Sequence, residues 1–225
     1  MTGRLRHIGL IGAALAALTV AGASPAAAAA KGAPSFFNTT ETMKTDLKKF
    51  GKWTGSVRRY FAGKAKNEGP CSATEFNKCH YREWRSFIDS MRSKPRDYNL
   101  LVEVNKFLNP PNRRYITDPI NWGMKDYWEA PAEFFNKHGD CEDYAITKYM
   151  TLRDLGFSTK QLRVVAVKDL NLKIGHAILI VFLGGGKTYL LDNQIKKVVE
   201  TKKVRHYKAI YSINEDAWWR HKRKK

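Results

Sequence analysis

Acidic residues are scarce in this sequence. Its 225 residues carry 21 Asp and Glu against 40 Lys and Arg, a formal net charge of +19. An excess of that size suits anionic surroundings such as a membrane face, an envelope polymer or an acidic protein. Nucleic-acid binding demands cations clustered and interleaved with aromatics. That pattern is missing outside YFAGKAKN (60–67) and the terminal RHKRKK (220–225), so nucleic acid is not an expected partner. Long apolar runs are few: after residue 30 none is long enough to span a bilayer. There is no internal repeat, and GGGK (184–187) lacks the Ser/Thr and the following helix of a phosphate-binding loop. Cysteine is sparse and odd in number, with Cys71, Cys79 and Cys141 alone.

The start of the chain bears on those cysteines. MTGRLRHIGLIGAALAALTVAGASPAAAAAKG has basic Arg4 and Arg6, an apolar run over 8–23, and an alanine tract ending at Ala30. That is the layout of a secretory signal peptide over residues 1–30. A periplasmic or secreted protein, not one that spans the membrane, is therefore expected. Losing Arg4 and Arg6 with no acid lowers the charge from +19 to +17. The rest suits one domain, read as 31–219, followed by a solvated, disordered basic tail at 220–225. In an oxidising compartment Cys71 and Cys79, eight apart in EGPCSATEFNKCH, can close a small disulfide. Cys141 is then unpaired, and a leftover cysteine in an exported chain has either an intermolecular partner or a reactive role.

Residues 41–108 read as helical. The pattern is weak over ETMKTDLKKFGKWTGSVRRYF, where Gly51 and Gly55 interrupt it, and clearer where Trp84, Phe87, Ile88 and Met91 recur three and four apart. NPPN (109–112) ends this region, and 113–140 is irregular and rich in aromatics and acids. Pro131 opens a short helix over AEFFNK, and Asp140 is placed to cap the next helix. Tyr144, Ala145, Tyr149, Leu152 and Leu155 then recur at helical spacing, and Gly156 is the expected stop. From 161 onward QLRVVAV, GHAILIVFL and TYLLD read as buried strands, the last two joined by the GGGK hairpin.

This order sets a cysteine at a helix start, His176 on a strand and Asp192 on the next. Helix-start N–H groups lower a thiol pKa, His176 can take the proton, and Asp192 can accept from the other ring nitrogen. Asp140, Glu142 and Asp143 work against this, because neighbouring negative charges disfavour a thiolate. Either Cys141 is inert, or something positive offsets those acids. From the residues alone, Asp140 as a cap with Glu142 and Asp143 favoured by the helix dipole is one reading. A bound divalent cation is the other, although EF-hand spacing is absent.

The stretch DYWEAPAEFFNKHGDCEDYAITKYMTLRDLGF with LRVVAV, GHAILIVF and YLLDNQ resembles the bacterial transglutaminase-like cysteine proteinases, the LapG-type periplasmic proteases, over about residues 115–215. The resemblance implies an α+β, papain/transglutaminase-like fold, with N-terminal helices and the catalytic cysteine at the start of a central helix on an antiparallel sheet. It also implies a Cys141–His176–Asp192 triad, calcium held by Asp140, Glu142 and Asp143, and a monomeric endopeptidase. The substrate implied is a large surface adhesin, cut to release biofilm cells, and the implied partner an inner-membrane cyclic-di-GMP receptor that sequesters the protease. The triad alone would equally serve transglutaminase-type acyl transfer to amines. A non-catalytic, basic envelope-binding module is the reading from a different class. The N–H of Cys141 is the natural first oxyanion donor, with no second donor evident.

Overall fold

The structure, a computed structural model, describes residues 35–63, 76–110 and 113–224. The proposed leader and Cys71 lie outside the described residues, as does the side chain of Cys79, so the disulfide expectation is not addressed.

A seven-stranded antiparallel sheet organises the described residues. In chain order the strands are β1 (Thr39–Lys44), β2 (Leu162–Asp169), β3 (Gly175–Phe182), β4 (Thr188–Leu191), β5 (Val199–Glu200), β6 (Tyr207–Ile213) and β7 (Trp218–Arg223). Their lateral order is β1-β7-β6-β2-β3-β4-β5. The β2–β3 pair lies in the middle, with Val167 opposite His176 and Ala166 opposite Ala177. Both faces of this pair are covered, which is why the strands read as nearly continuous apolar runs. Val164, Ala177, Leu179 and Val181 pack toward the helices. Val165, Val167, Ile178 and Ile180 pack on the other face with Phe36, Leu190 and Tyr207.

The helices are α1 (Gly51–Gly63), α2 (Phe76–Met91), α3 (Tyr98–Leu108), α4 (Asp118–Trp122), α5 (Pro131–Lys137) and α6 (Cys141–Asp154). α6 is the central one: every residue from 143 to 152 is buried. Its end is set by Gly156 at φ 88°, followed by a bond from Phe157 N to Leu152 O of 3.0 Å. That closure needs a left-handed residue, which glycine supplies without strain. α3 is capped by Asp97, whose Oδ1 accepts from Asn99 N at 2.9 Å and Leu100 N at 3.2 Å.

Two expectations are corrected. The helical reading of the segment from residue 41 fails at its start, because Thr39–Lys44 is an edge strand paired with β7. The basic terminus is not a disordered tail over its whole length: Arg220–Arg223 are the last four of the six residues of β7, with Arg220 opposite Thr42 and Arg223 opposite Thr39. Both segments are polar, so neither announces a strand. What holds them is pairing across 180 residues of sequence and an anchor beneath, where Arg163 Nη1 meets Glu41 Oε2 at 2.7 Å and stacks on the Trp219 ring at 3.6 Å.

Candidate active site

Three elements converge on the start of α6. The enclosed helix fixes Cys141, whose neighbours place it against β3: the N–H of Ala177 points to the sulfur and supports its charged form. The residue before Ala177 is His176, 5% exposed, on the same strand. His176 Nε2 lies 2.9 Å from Asp192 Oδ1, just past the end of β4. That contact uses one of the two ring nitrogens.

Asp192 is itself held from three directions. Oδ1 also accepts from Gln194 N at 2.9 Å, and Oδ2 accepts the Tyr207 hydroxyl at 2.7 Å. Its backbone carbonyl accepts Asn109 Nδ2 at 2.6 Å. The hydrogen bond and the charge of His176, with the donors from Gln194 and Tyr207, outweigh burial and hold this carboxyl below its usual range. Tyr207 is a site residue that sequence reading missed, because it arrives on β6, a strand whose alternation YKAIYSI was not recognised.

The thiol side is acidic. Cys141 Sγ donates to Glu142 Oε2 at 3.0 Å. Burial, the Glu142 charge and hydrogen bond, and Asp140 together push the thiol far up, which favours its neutral, donating form. Asp140 is pushed up to about 8 by burial and by Glu142. Glu129 also rises to about 8, from burial and nearby acids. Asp143 rises well above the carboxylate range, by burial and then by Glu129, and Asp118 rises through burial.

Asp143 has a visible structural role. Oδ1 accepts Glu129 N at 2.8 Å, and Oδ2 accepts Asp140 N at 3.0 Å, which is the reach-back half of a capping box. Asp140 occupies the cap position without a side-chain cap bond of its own. Gly139 makes room for this buttress: a Cβ there would stand 2.7 Å from Asp143 Cβ and 2.8 Å from its Cγ. Gly139→Ala is accordingly expected to push Asp143 off both N–H groups and to destabilise by about 3 kcal/mol through overpacking. For a chain of this size that lowers Tm by roughly 10 °C in a calorimetric scan; an unchanged Tm would contradict the close approach.

The residues able to hold a metal form overlapping groups with ligand atoms within 4.8 Å of one another: Asp140, Cys141 and Glu142; Asp118, Asp126 and Glu142; and Asp118, Asp140 and Asp143. Asp118 and Asp126 were not singled out from sequence. The signal was there, a pair of acids in TDPINWGMKD within the irregular acid-rich stretch, but nothing local aims it at Cys141. The donor set is all oxygen apart from the sulfur, as calcium prefers. Within these groups, buried Asp118 Oδ1 and Asp140 Oδ1 have no hydrogen-bond partner. Unpaired buried carboxylate oxygens are costly, and a divalent cation is the group that would satisfy them. The residues present therefore fit calcium.

Residues 69–224 match the family described as bacterial transglutaminase-like cysteine proteinase BTLCP. A solved structure titled Legionella pneumophila LapG (calcium-bound) is 30% identical, covers 72% of this chain and 87% of its own, and superposes with a TM-score of 0.60. The EGTA-treated Legionella pneumophila LapG is 29% identical, with 73% and 84% covered and a TM-score of 0.58. No curated protein sequence matches. With a match over 69–224 and a fold shared with LapG, this chain belongs to the bacterial transglutaminase-like cysteine proteinases and is a cysteine peptidase.

Proposed function

We propose that the protein is a calcium-dependent cysteine endopeptidase in which Cys141 is the nucleophile, His176 the acid–base group and Asp192 its orienting carboxylate. The observation that carries this reading is the chain Tyr207–Asp192–His176, ending one residue from the N–H that points to the Cys141 sulfur. Asp118, Asp126, Asp140 and Glu142 are the side chains that would hold calcium, with Asp143 bracing the helix start behind them. Calcium, when bound by these residues, would supply positive charge that offsets the acids around the thiol. The structures of a relative titled calcium-bound and EGTA-treated support the choice of metal.

The chemistry is acyl transfer by this chain's own groups. The thiolate of Cys141 attacks a peptide carbonyl, and the His176 imidazolium protonates the leaving amine. Neutral His176 then takes a proton from water as it attacks the thioester, and the acid product leaves. The N–H of Cys141 faces the developing oxyanion. Family resemblance makes a large surface adhesin the substrate, the periplasm the compartment, and a sequestering inner-membrane receptor the partner.

The test incubates purified protein with N-terminal adhesin fragments, with and without calcium, and reads the products by mass spectrometry. Cleaved chains appearing only with calcium are expected. Isopeptide-linked chains would replace proteolysis by transamidation, and uncut fragments under both conditions would overturn the substrate assignment.

A further inference from the structure

Glu129 is a buried carboxylate, 0% exposed, that the mechanism leaves unused. Its main chain is fixed on two sides. The N–H donates to Asp143 Oδ1 at 2.8 Å, and the carbonyl accepts the Ser56 hydroxyl of α1 at 2.6 Å. Its side chain reaches a third element, α4, where Oε1 accepts Trp122 Nε1 at 2.5 Å and Asn121 Nδ2 at 3.3 Å. Five residues are too few to hold a helix by themselves, and α4 has no side-chain cap bond at Thr117. Ile120 is 80% exposed, so that side of α4 is open to solvent. The ties at Asn121 and Trp122 therefore set where α4 stands. Asn121 Nδ2 also donates to His138 O at 2.7 Å, and Lys137 Nζ lies 4.1 Å from the Trp122 ring centroid. The first residue of this helix is Asp118, whose Oδ2 accepts Tyr127 N at 2.6 Å and whose Oδ1 has no partner.

We propose that Glu129 is a positioning residue of the calcium site. It bonds α4 through Trp122 and Asn121 and the start of α6 through Asp143, and so holds Asp118 at ligand distance from the acids of α6. The inference rests on the calcium reading above and deepens it. Asp118 has a ligand atom within 4.8 Å of those of Asp140 and Asp143, and likewise of those of Asp126 and Glu142. It is the member common to both groups, so the site depends on where α4 stands. A preformed site does not have to order α4 when the cation arrives, and it binds more tightly for that reason. An apolar residue at 129 would fill the same volume but leave Trp122 Nε1 without this acceptor. The part played by Glu129 is thus exerted through Trp122 and Asn121.

The test is calorimetric titration of calcium into the metal-free full chain, which reads affinity without substrate or turnover. Glu129→Leu is expected to weaken calcium binding by about tenfold, as befits loss of a hydrogen bond to a charged group. Glu129→Gln keeps an oxygen for Trp122 and is expected to stay within about twofold of wild type. Trp122→Phe keeps a ring but removes the donor, and is expected to weaken binding by about fivefold. Placed in Glu129→Leu it is expected to add no further loss, since both changes break one bond. A merely structural glutamate would lower Tm and leave affinity alike in every variant. Wild-type affinity in Glu129→Leu overturns the proposal, and so do additive losses in the double variant. Should Glu129→Leu not fold, Trp122→Phe carries the test, and wild-type affinity there overturns it. A wild-type chain that binds no calcium would overturn the calcium reading itself, and this inference with it.

Discussion

Cys141→Ala is expected to abolish cleavage of the adhesin fragments, by a factor on the order of 10⁶ in kcat, while leaving the fold and its calcium response intact. Cys141 is only partly buried at the edge of the main core, and alanine keeps its Cβ, so losing the sulfur atom there costs little structure. His176→Ala is expected to reach a similar loss, because imidazole both ionises the thiol and protonates the leaving amine. The two changes together are expected to cost no more than either alone, as groups acting as one unit are not additive. Kinetics on the two single variants and the double variant check this. Residual turnover in Cys141→Ala above a hundredth of wild type would assign the nucleophile elsewhere.

Calcium removal is the second large effect. With Asp140 and Glu129 pushed up to about 8, the folded, metal-free protein holds protons that the unfolded chain releases near pH 4. Between those values the folded state binds more protons, so its stability falls as pH rises through the window. Calcium requires its carboxylate ligands, Asp140 among them, deprotonated, so its stabilisation grows over the same range. Melting scans are therefore expected to show Tm in chelator dropping from pH 5 to pH 8. Added calcium should raise Tm most at pH 8 and least at pH 5. Glu142→Gln and Asp118→Asn are expected to shrink that calcium shift. A Tm indifferent to calcium at pH 8 would remove the metal from the account.

The parts of this molecule that are legible in sequence are those written in local periodicity. The apolar recurrence after Cys141 marks α6, and β-branched runs mark β2, β3 and β4. The resulting order, helix start then strand then strand, is enough to nominate Cys141, His176 and Asp192. What is not legible is set by distant pairing. β1 and the charged end of β7 are polar; β1 becomes a strand against β7, and β7 lies between β1 and β6. Tyr207 contributes through a strand with mixed alternation, and Asp118 and Asp126 reach Glu142 from an irregular stretch whose path no spacing rule fixes. Lys148 reads in sequence like any solvated helix lysine. Only the packing of α6 against the sheet and against α3 and α5 buries it completely.

The most direct measurement is the rate at which iodoacetamide alkylates Cys141, followed from pH 5 to pH 9 with calcium and with chelator, in wild type and in His176→Ala. An ion pair held by imidazole and by a cation predicts fast alkylation in calcium from well below the ordinary thiol pKa of about 8.5. It also predicts that the rise moves above pH 9 in chelator and moves upward in His176→Ala. Four superimposable profiles would contradict it, since the sulfur would then owe its reactivity to neither neighbour.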